Sequence, residues 1–444
     1  MVVSKHVVTG LVPSANASPS GLSSRQGAVG VLDIGTSKIA CFVARPGELP
    51  SAAIRIAGVG HQSSKGLRAG SIIDLDATES AVRQAIEQAE RMAGISINAV
   101  TLNYCGPSLR AQKMRGMAAI NGREVNNRDV KRVLKTALAS WQDEGRVIIH
   151  AIPQRYSVDD NVDVHDPRGM FASRLGVELC VVSVDRNPLR NLALVVDRCR
   201  LDLRSIVATP YAAGLAALVD DEMHLGATVI DMGAGSTSFA VFCDGGLVHL
   251  GAVPLGGQHV TNDIARGLST PMAAAERIKT MYGTVLDGPD DDFEMIDCPG
   301  MCDDPCMRTD QAPRAVLTSV IRPRLEEIFE MVREQLKNGG VYRDAGERVV
   351  LVGGASQLDG VRELAARILN KQVRLGRPLR LSGLGDAVNG AGFAATAGTL
   401  HHVISGPREA IIGAPDLAKG GRRHHPGQQE NPVKQLWGWI RDNF

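Results

Sequence analysis

The sequence lacks the features of several common classes of protein. Its 49 Lys and Arg residues are balanced by 48 Asp and Glu, so it has none of the basic surplus of proteins that neutralise nucleic-acid phosphates. No stretch approaches the ~20 consecutive apolar residues that a membrane-spanning helix needs. Aromatic residues make up only 4% of the chain, whereas glycines number 48. This composition indicates an α/β protein with closely packed small residues, and nucleic acid is not an expected partner.

Targeting, disulfide and metal signals are also weak. Residues 1–27 contain no apolar core of the length that a secretory signal requires, and we interpret them as a disordered tail. Most of the 8 cysteines lie in apolar runs, which is typical of free buried thiols in a reducing cytoplasm. Cys298, Cys302 and Cys306 are regularly spaced, but zinc motifs usually contain two close cysteine pairs. We therefore favour a proline-interrupted loop over a metal site there.

The most informative feature is a hairpin pattern that occurs twice. Runs rich in β-branched residues flank an Asp-x-Gly turn over 28–43, and a second copy of the pattern occupies 228–242. Such runs around a short glycine turn predict antiparallel hairpins. A third strand over 349–352 ends in another glycine turn. Two halves that each open with the same hairpin suggest a duplicated domain.

The glycine turns have the chemistry of a phosphate site. Glycine lets backbone N–H groups approach a phosphate closely and adopts the positive φ angles of a tight turn. Asp33 and Asp231 end the first strand of each hairpin, where carboxylates can hold a hydrated Mg²⁺. The other candidate cofactor-binding residues of the turns are Gly35, Thr36, Ser37, Lys38, Gly233, Gly235, Ser236, Thr237, Gly353 and Gly354. Because the P-loop is absent and Gly-x-Gly-x-x-Gly does not follow the first strand, we expect hairpins to bind the phosphates.

Helices and strands alternate along the rest of the chain. A helix is predicted from Asp76 to Gly94, with Glu79 completing a capping box. A block of separate character follows over 97–177, and a buried strand over 179–184 resumes the first domain. The elements predicted inside the block are a strand at 99–102, a helix over 127–141 and a strand at 146–149. The stretch 272–337 is rich in helix.

These motifs resemble those of the superfamily that contains actin, heat-shock chaperones and sugar kinases. The two hairpins are similar to its phosphate motifs, and Leu-Val-Gly-Gly-Ala over 351–355 resembles its adenosine motif. Small-residue helices over 209–217 and 391–398 are similar to its two connecting helices, which pack closely at the hinge. The resemblance implies ATP and Mg²⁺ as cofactors, with Glu276 and Lys279 contacting the nucleoside.

Within this superfamily, residues 28–405 and the extreme C-terminus resemble the FtsA family of bacterial cell-division proteins. The most similar stretches are 147–156, 261–265 and 320–324. The resemblance implies an α/β, actin-like duplicated ATPase fold in which a subdomain 1C replaces the usual subdomain 1B. It also implies a protein that polymerises, tethers the FtsZ ring to the inner face of the cytoplasmic membrane at the septum, and recruits later division proteins through subdomain 1C.

The same resemblance divides the chain into segments. They are a tail (1–27), subdomain 1A (28–96 and 179–207), subdomain 1C (97–178), subdomains 2A and 2B (208–385), a return helix of 1A (386–405), a linker (406–430) and a membrane-targeting helix (431–444). On subdomain 2B, Arg324 and Glu327 match by position the residues that dock the C-terminal peptide of FtsZ. The alternative for this pair is an exposed helix face with an ordinary ion pair of little energetic value.

The C-terminal residues predict an amphipathic helix independently of the family resemblance. Asn431 is a good N-cap and Pro432 a good first helical residue. The apolar residues of one face are Val433, Leu436, Trp437, Ile440 and Phe444, and Trp439 lies near the opposite boundary. A helix of about 20 Å is too short to span a bilayer but suits the interface of an anionic membrane. The alternative is a terminal helix that docks on the protein's own core.

The second hairpin departs from the family pattern at two positions. Ser238 stands where the family commonly carries Asp, and Ala234 where it carries Gly. The missing carboxylate weakens the case for metal coordination or water activation at this position, and no residue stands out as a general base near the phosphates. No catalytic residue is therefore assigned, and the nucleotide is expected mainly to set subunit shape. Two other functions stay open at this point: a sugar or acyl kinase of the same fold, and a pilus-assembly actin homologue. A kinase would need a positioned Asp base and would have little use for an amphipathic terminal helix.

Overall fold

The computed structural model describes residues 28–45, 54–143, 145–300, 310–379, 381–382, 388–406 and 409. The strands within these ranges are β1 (Val29–Ile34), β2 (Lys38–Arg45), β3 (Ile54–Ser63), β4 (Leu67–Arg68), β5 (Ser71–Ile72), β6 (Ala99–Tyr104), β7 (Arg110–Glu124), β8 (Arg146–Val158), β9 (Asn161–Val164), β10 (Phe171–Asp185), β11 (Asp202–Ala208), β12 (Ala227–Met232), β13 (Thr237–Cys243), β14 (Gly246–Val253), β15 (Met295–Cys298), β16 (Asp310–Pro313), β17 (Arg348–Val352), β18 (Gln372–Leu375) and β19 (Leu381–Ser382). The helices are α1 (Leu75–Ala93), α2 (Asn127–Leu138), α3 (Arg186–Arg198), α4 (Thr209–Ala217), α5 (Asp220–Leu225), α6 (Gly257–Gly267), α7 (Met272–Tyr282), α8 (Arg314–Asn338), α9 (Val361–Leu369) and α10 (Ala394–Ser405).

Two sheets of the same design form the centres of the two halves. The first sheet has the order β11-β6-β1-β2-β3-β19, and the second has the order β14-β13-β12-β17-β18. In the first sheet β1 pairs antiparallel with β2 and parallel with β6; in the second, β12 pairs antiparallel with β13 and parallel with β17. Both predicted hairpins and the duplicated fold are therefore confirmed.

Alternating side chains on the hairpin strands reach different cores, as the two-residue period of a strand requires. On β12, Val229 belongs to a core that runs from the first sheet through α4 to the second, whereas Ile230 belongs to the outer core of the second half. On β1, Leu32 joins the shared core, and Val31 packs in a small cluster with Leu400 of α10. Each hairpin is thus covered on both faces.

Helices α4 and α10 connect the halves and pack closely, as predicted from their small residues. A Cβ added to Gly398 of α10 would lie 1.6 Å from the carbonyl oxygen of Ala212 in α4. The helix backbones are therefore closer than side chains would permit, and Tyr211, Ala212 and Ala213 of α4 are buried in the shared core.

The N-terminal cap of α1 differs from the prediction. The helix begins at Leu75, and Asp74 caps it, because its Oδ1 accepts the N–H of Ala77 at 3.0 Å. Glu79 does not complete a capping box; its carboxylate instead pairs with Arg83 at 2.6 Å. The C-terminal prediction is confirmed, since Gly94 ends the helix with φ 65°.

The inserted block is a four-stranded sheet of order β7-β10-β8-β9 with α2 packed against it. Two details differ from the sequence-based assignment. Strand β6, which we placed in the block, pairs with β1 and β11 in the first sheet. Strand β10 stays in the inserted sheet to its end, where Val184 pairs with Val147, and so 179–184 does not return to the first sheet. A short apolar strand has the same pattern in either sheet, which is why the sequence did not separate them. Helix α2 also ends earlier than predicted, at Leu138.

The helix-rich stretch of the second half is interrupted by the two-stranded pair β15–β16. Cys298 is a buried free thiol at the end of β15, and Cys302 and Cys306 lie outside the described residues. No group of three or more His, Cys, Asp or Glu side chains placed to hold a metal ion occurs in the part of the chain that the structure describes. None of the described helices is both long and apolar enough to cross a membrane.

Candidate functional site

The turns of the two hairpins have the same geometry. The N–H of Gly35 donates to the carbonyl oxygen of Lys38 at 2.9 Å, and the N–H of Gly233 donates to that of Ser236 at 3.0 Å. A Cβ on either glycine would lie 2.9 Å from the same carbonyl oxygen that its own N–H contacts. Both turns therefore require glycine, because a side chain would collide with a carbonyl oxygen of the same turn. Neither glycine adopts the positive φ angle that was predicted.

The two hairpins also lie against each other across the halves. A Cβ added to Gly235 would come 2.5 Å from the hydroxyl oxygen of Thr36 and 2.8 Å from the Cα of Ala69. The N–H of Gly70 donates to the same Thr36 oxygen at 3.0 Å, which leaves the hydroxyl proton available to another acceptor. Ser37 is exposed at the tip of the first turn. The structure thus brings together the two motifs that the sequence placed about two hundred residues apart.

Asp33 and Asp231 lie near enough for the charge of Asp33 to affect Asp231. Asp33 is buried, and burial raises its pKa although Lys38 opposes the shift. Its Oδ2 accepts the hydroxyl of Thr396, from α10, at 2.9 Å. Burial, and then the charge of Asp33, raise the pKa of Asp231 to about 7. Like charges in one site disfavour ionisation, and a divalent cation between them would reverse that effect.

Lys38 is the cation nearest to these carboxylates in the first hairpin. Its ammonium donates to the carbonyl oxygen of Gly392 and lies 3.5 Å from the centroid of the Phe393 ring. Burial lowers the pKa of Lys38, while Asp33 and Asp231 oppose that shift. The side chain therefore links the first hairpin to the short 3-10 turn that precedes α10.

The third glycine turn borders the second hairpin. Gly353 has φ 88°, and a Cβ there would lie 2.3 Å from Oδ1 of Asp231. Its N–H donates to the carbonyl oxygen of Ala391 at 3.0 Å. A Cβ on Gly354, in contrast, would have no described heavy atom within 4 Å. Gly353 is therefore fixed by its neighbours, whereas Gly354 faces open space.

Glu276 and Lys279 lie together beside the start of α6. The ammonium of Lys279 donates to Oε2 of Glu276 at 2.7 Å and to the carbonyl oxygen of Gly257 at 3.2 Å, and both side chains contact the hydroxyl of Thr261. Gly257 in turn donates its N–H to the carbonyl oxygen of Gly233, at 2.9 Å. A Cβ on Gly257 would lie 3.1 Å from Ala355, next to Gly354. The predicted nucleoside residues thus adjoin both the second hairpin and the third turn.

The strand that follows the second turn carries buried hydroxyls. The Ser236 hydroxyl lies 3.4 Å from the thiol of Cys105, whose pKa burial raises to about 12. Among the described atoms, the hydroxyls of Thr237 and Ser238 have no hydrogen-bond partner. Ser238 is the cross-strand neighbour of Asp231, so a carboxylate there would add another negative charge beside it. Because successive side chains of a strand point to opposite faces, only the Ser238 hydroxyl lies on the same face of the sheet as Asp231.

Arg324 and Glu327 lie on α8, in a different cluster. The Arg324 guanidinium contacts Asp263 of α6, with Nε 2.6 Å from Oδ2, and it also contacts Glu327. Hydrogen bonding to Asp263 raises the pKa of Arg324. Both side chains of the predicted pair are partly exposed, at 26% and 49%. The predicted membrane residues, Val433, Leu436, Trp437, Trp439, Ile440 and Phe444, lie outside the described residues.

Several residues of the site were not predicted from the sequence. Gly70 contacts the first hairpin, Thr261 joins Glu276 to Lys279, and Thr396 bonds Asp33. Only Thr396 left a sequence signal, because it is a polar residue in the middle of an Ala- and Gly-rich helix. The others could be found only from the fold, which brings distant segments together.

The sequence matches known families and relatives along most of its length. Residues 228–398 match the family described as "Cell division protein FtsA", and residues 106–183 match the family described as "SHS2 domain inserted in FTSA". Over 432 residues the chain is 39% identical to the cell division protein FtsA of Agrobacterium fabrum, covering 95% of this chain and 96% of that one. It is 32% identical to FtsA of Escherichia coli over 421 residues, which cover 93% and 97% of the two chains.

Solved structures with a similar fold are more distant in sequence. The PilM–PilN type IV pilus biogenesis complex aligns with a TM-score of 0.60 at 15% identity, over 85% of this chain and 98% of that one. MreB5 of Spiroplasma citri bound to ADP aligns with a TM-score of 0.51 at 14% identity, over 86% and 97%. At such identities the likeness shows the fold alone.

Together, the duplicated sheets, the close connecting helices and the paired glycine hairpins define a protein with the actin-like nucleotide-binding fold. The inserted sheet between β6 and β11 is the SHS2 domain typical of one family with this fold. The chain belongs to the FtsA family of cell-division proteins. This membership favours the predicted cell-division protein over the kinase and the pilus-assembly protein.

Proposed function

We propose that the chain binds ATP between the two hairpins. The observation that carries this proposal is the contact of Thr36 with Gly235. This contact joins two turns of the same geometry into one site. The hydroxyls of Thr36 and Thr237 and the ammonium of Lys38 are the proposed phosphate donors. Gly354 borders the proposed adenosine position, with Glu276 and Lys279 beside it. The MreB5 structures solved with ADP and with AMPPNP share this fold and support the proposal.

Asp33 and Asp231 are the proposed residues that hold Mg²⁺ through water. The bound ion would neutralise phosphate charge and offset the repulsion between the two carboxylates. Thr396 holds Asp33 in position from α10, and Gly353 limits the movement of Asp231. Because Ser238 provides no second carboxylate beside Asp231, we propose that the nucleotide acts mainly to set the arrangement of the halves, and that hydrolysis is slow.

The same proposal assigns the protein a place at the division septum. We propose that copies assemble into an actin-like filament, and that Arg324 and Glu327 bind the C-terminal peptide of FtsZ. The helix predicted over 431–444 would bind the inner face of the cytoplasmic membrane. One short amphipathic helix binds weakly, whereas many on one filament bind firmly by avidity. The SHS2 insertion is the proposed surface for later division proteins.

Two experiments test this function separately. The full-length protein should co-sediment with vesicles that contain anionic lipid, and deletion of residues 431–444 should abolish this co-sedimentation. Unchanged co-sedimentation of the deletion variant would refute the proposed membrane tether. A pull-down with the FtsZ C-terminal peptide should weaken with Arg324→Glu, because the substitution places a negative charge beside Asp263 and Glu327. The matched control is Arg367→Glu. Arg367 lies on α9 and pairs with Glu326 of α8, the helix that carries Arg324. Equal loss in both variants would mean that only net charge matters.

A further inference from the structure

A buried carboxylate lies beyond the end of α10, remote from the glycine turns. Glu409 has a side chain that is only 1% exposed. It is surrounded by His150 of β8, Tyr211 of α4 and His402 of α10, all of which are buried. The cluster therefore joins the SHS2 insertion, both connecting helices and the start of the C-terminal segment. Neither the nucleotide site nor the proposed partner site includes any of these residues.

The hydrogen bonds of His150 show that the pocket is built to receive a carboxylate. Its Nε2 accepts the backbone N–H of Ala208 at 3.0 Å, so the ring proton is on Nδ1. Nδ1 lies 3.0 Å from Oε2 of Glu409 and donates to it. The other oxygen, Oε1, lies 3.7 Å from Nδ1 of His402. A backbone group thus fixes the tautomer that presents a donor to the carboxylate.

Aromatic rings close the pocket around this contact. The rings of His150 and Tyr211 meet edge to face with centroids 5.1 Å apart, and the His402 ring lies 5.8 Å from His150 and 5.7 Å from Tyr211. Burial, and then the charge of Glu409, raise the pKa of the Tyr211 phenol well above its ordinary value. A carboxylate is costly to bury without a donor, and the His150 N–H supplies one at Oε2, while Oε1 has no hydrogen-bond partner among the described atoms.

We propose that this pocket is an intramolecular docking site for the C-terminal segment, with the carboxylate of Glu409 as its ligand. Helix α10 ends at Ser405, and Gly406 with φ 55° turns the chain away from the helix axis. The contact with His150 then holds the chain at Glu409, three residues after this turn. Since α4 and α10 each supply one wall, the attachment point is fixed to the two helices that connect the halves. This inference is independent of membrane binding.

Carboxylate footprinting tests the anchor on the full-length protein. A carbodiimide with glycine ethyl ester labels accessible carboxylates, and mass spectrometry gives the rate at each site. We expect Glu409 to be labelled at least tenfold more slowly than Glu87, an exposed glutamate of α1, and about as slowly as Glu222, which is 3% exposed. Equal rates at Glu409 and Glu87 in the wild-type protein would overturn the proposal, and this comparison requires no variant.

A second measurement tests the role of His150 as the hydrogen-bond donor to Glu409. In His150→Phe, which keeps an aromatic ring but has no donor, the labelling rate at Glu409 should rise at least tenfold, while Glu222 stays protected and reports an intact fold. Glu409 that remains protected in a folded His150→Phe protein would overturn the assignment of His150 as its receptor. Vesicle co-sedimentation of the same samples reports the proposed tether separately, so failure of one claim is distinguishable from failure of the other.

Discussion

The backbone of Gly353 lies directly against the carboxylate of Asp231, so closely that a Cβ on the glycine would come within 2.3 Å of Oδ1. Its neighbour Gly354 has no such contact. The two glycines of one turn therefore have different roles: Gly353 gives the turn its shape, and Gly354 leaves room for the ligand.

Alanine substitutions separate these two roles. Gly353→Ala should lower the free energy of unfolding by about 1–3 kcal/mol, because it places a side chain at positive φ and against Asp231. Gly354→Ala should change stability by no more than about 0.5 kcal/mol but weaken ATP binding, because its methyl group enters the ligand space. Chemical denaturation and a fluorescent ATP analogue provide the two measurements. Normal ATP binding by Gly354→Ala would contradict this location of the nucleotide.

Thr36→Val tests the contact between the hairpins. The substitution keeps the shape of the side chain but removes both the acceptor for the Gly70 N–H and the proposed phosphate donor. We expect ATP affinity to fall roughly tenfold, since a hydrogen bond to a charged group contributes about 1.5–3 kcal/mol. Thr136→Val, on the exposed face of α2, is the control and should bind ATP normally. Equal affinities of the two variants would remove Thr36 from the site.

Gly398→Ala tests the close packing of the connecting helices. Its new Cβ would lie 1.6 Å from the carbonyl oxygen of Ala212, so one helix must move. We expect a loss of about 1–3 kcal/mol in the free energy of unfolding, as for overpacked cores, although alanine is the better helix former. Gly246→Ala is the control, because a Cβ there meets no described atom within 4 Å. Similar stability of the two variants in urea unfolding would contradict the close packing of α10 against α4.

The buried His402 makes stability depend on pH. Burial lowers its pKa from 6.5 to about 4, against the opposing charge of Glu409 and with the support of His150 and His401. Between these values the unfolded chain binds a proton that the folded chain does not, so stability falls as the pH decreases from 6.5 to 4. The loss from this one group is at most about 3 kcal/mol.

Replacing the histidine should reduce that dependence. His402→Gln is expected to unfold with a shallower loss of stability between pH 6.5 and 4 than the wild-type protein, measured by urea titration at several pH values. His165→Gln alters an exposed histidine and should keep the wild-type slope. A His402→Gln protein with the full acid dependence would show that another group, such as Glu409, whose pKa the neighbouring histidines lower, accounts for it.

Local sequence patterns predicted the parts of the fold that depend on neighbouring residues. The hairpins at Asp33 and Asp231 follow from β-rich runs around a glycine turn, and Gly94 ends α1 as its position indicated. The close contact of α4 with α10 was evident from their small residues, since bulk is what keeps helices apart.

Other features depend on contacts between distant segments, which no local pattern contains. The bond from Thr396 to Asp33 and that between His150 and Glu409 join residues hundreds of positions apart. The sheet to which β6 belongs is likewise decided by its partners and not by its own residues. The predicted N-cap of α1 was wrong because Asp74 and Asp76 are the same residue type and are equally good N-caps by sequence. Contacts with the rest of the fold selected Asp74.

The most direct test of the central claim is the effect of Mg²⁺ on ATP affinity in Asp231→Asn. In the wild-type protein, removing Mg²⁺ with a chelator should weaken ATP binding at least tenfold, because two carboxylates then face the phosphates without a cation between them. Asp231→Asn should bind ATP with nearly the same affinity with and without Mg²⁺, and Asp244→Asn, in the exposed turn after β13, should behave as the wild type. An Asp231→Asn protein that retains the full Mg²⁺ dependence would contradict a nucleotide held between the two hairpins through this carboxylate.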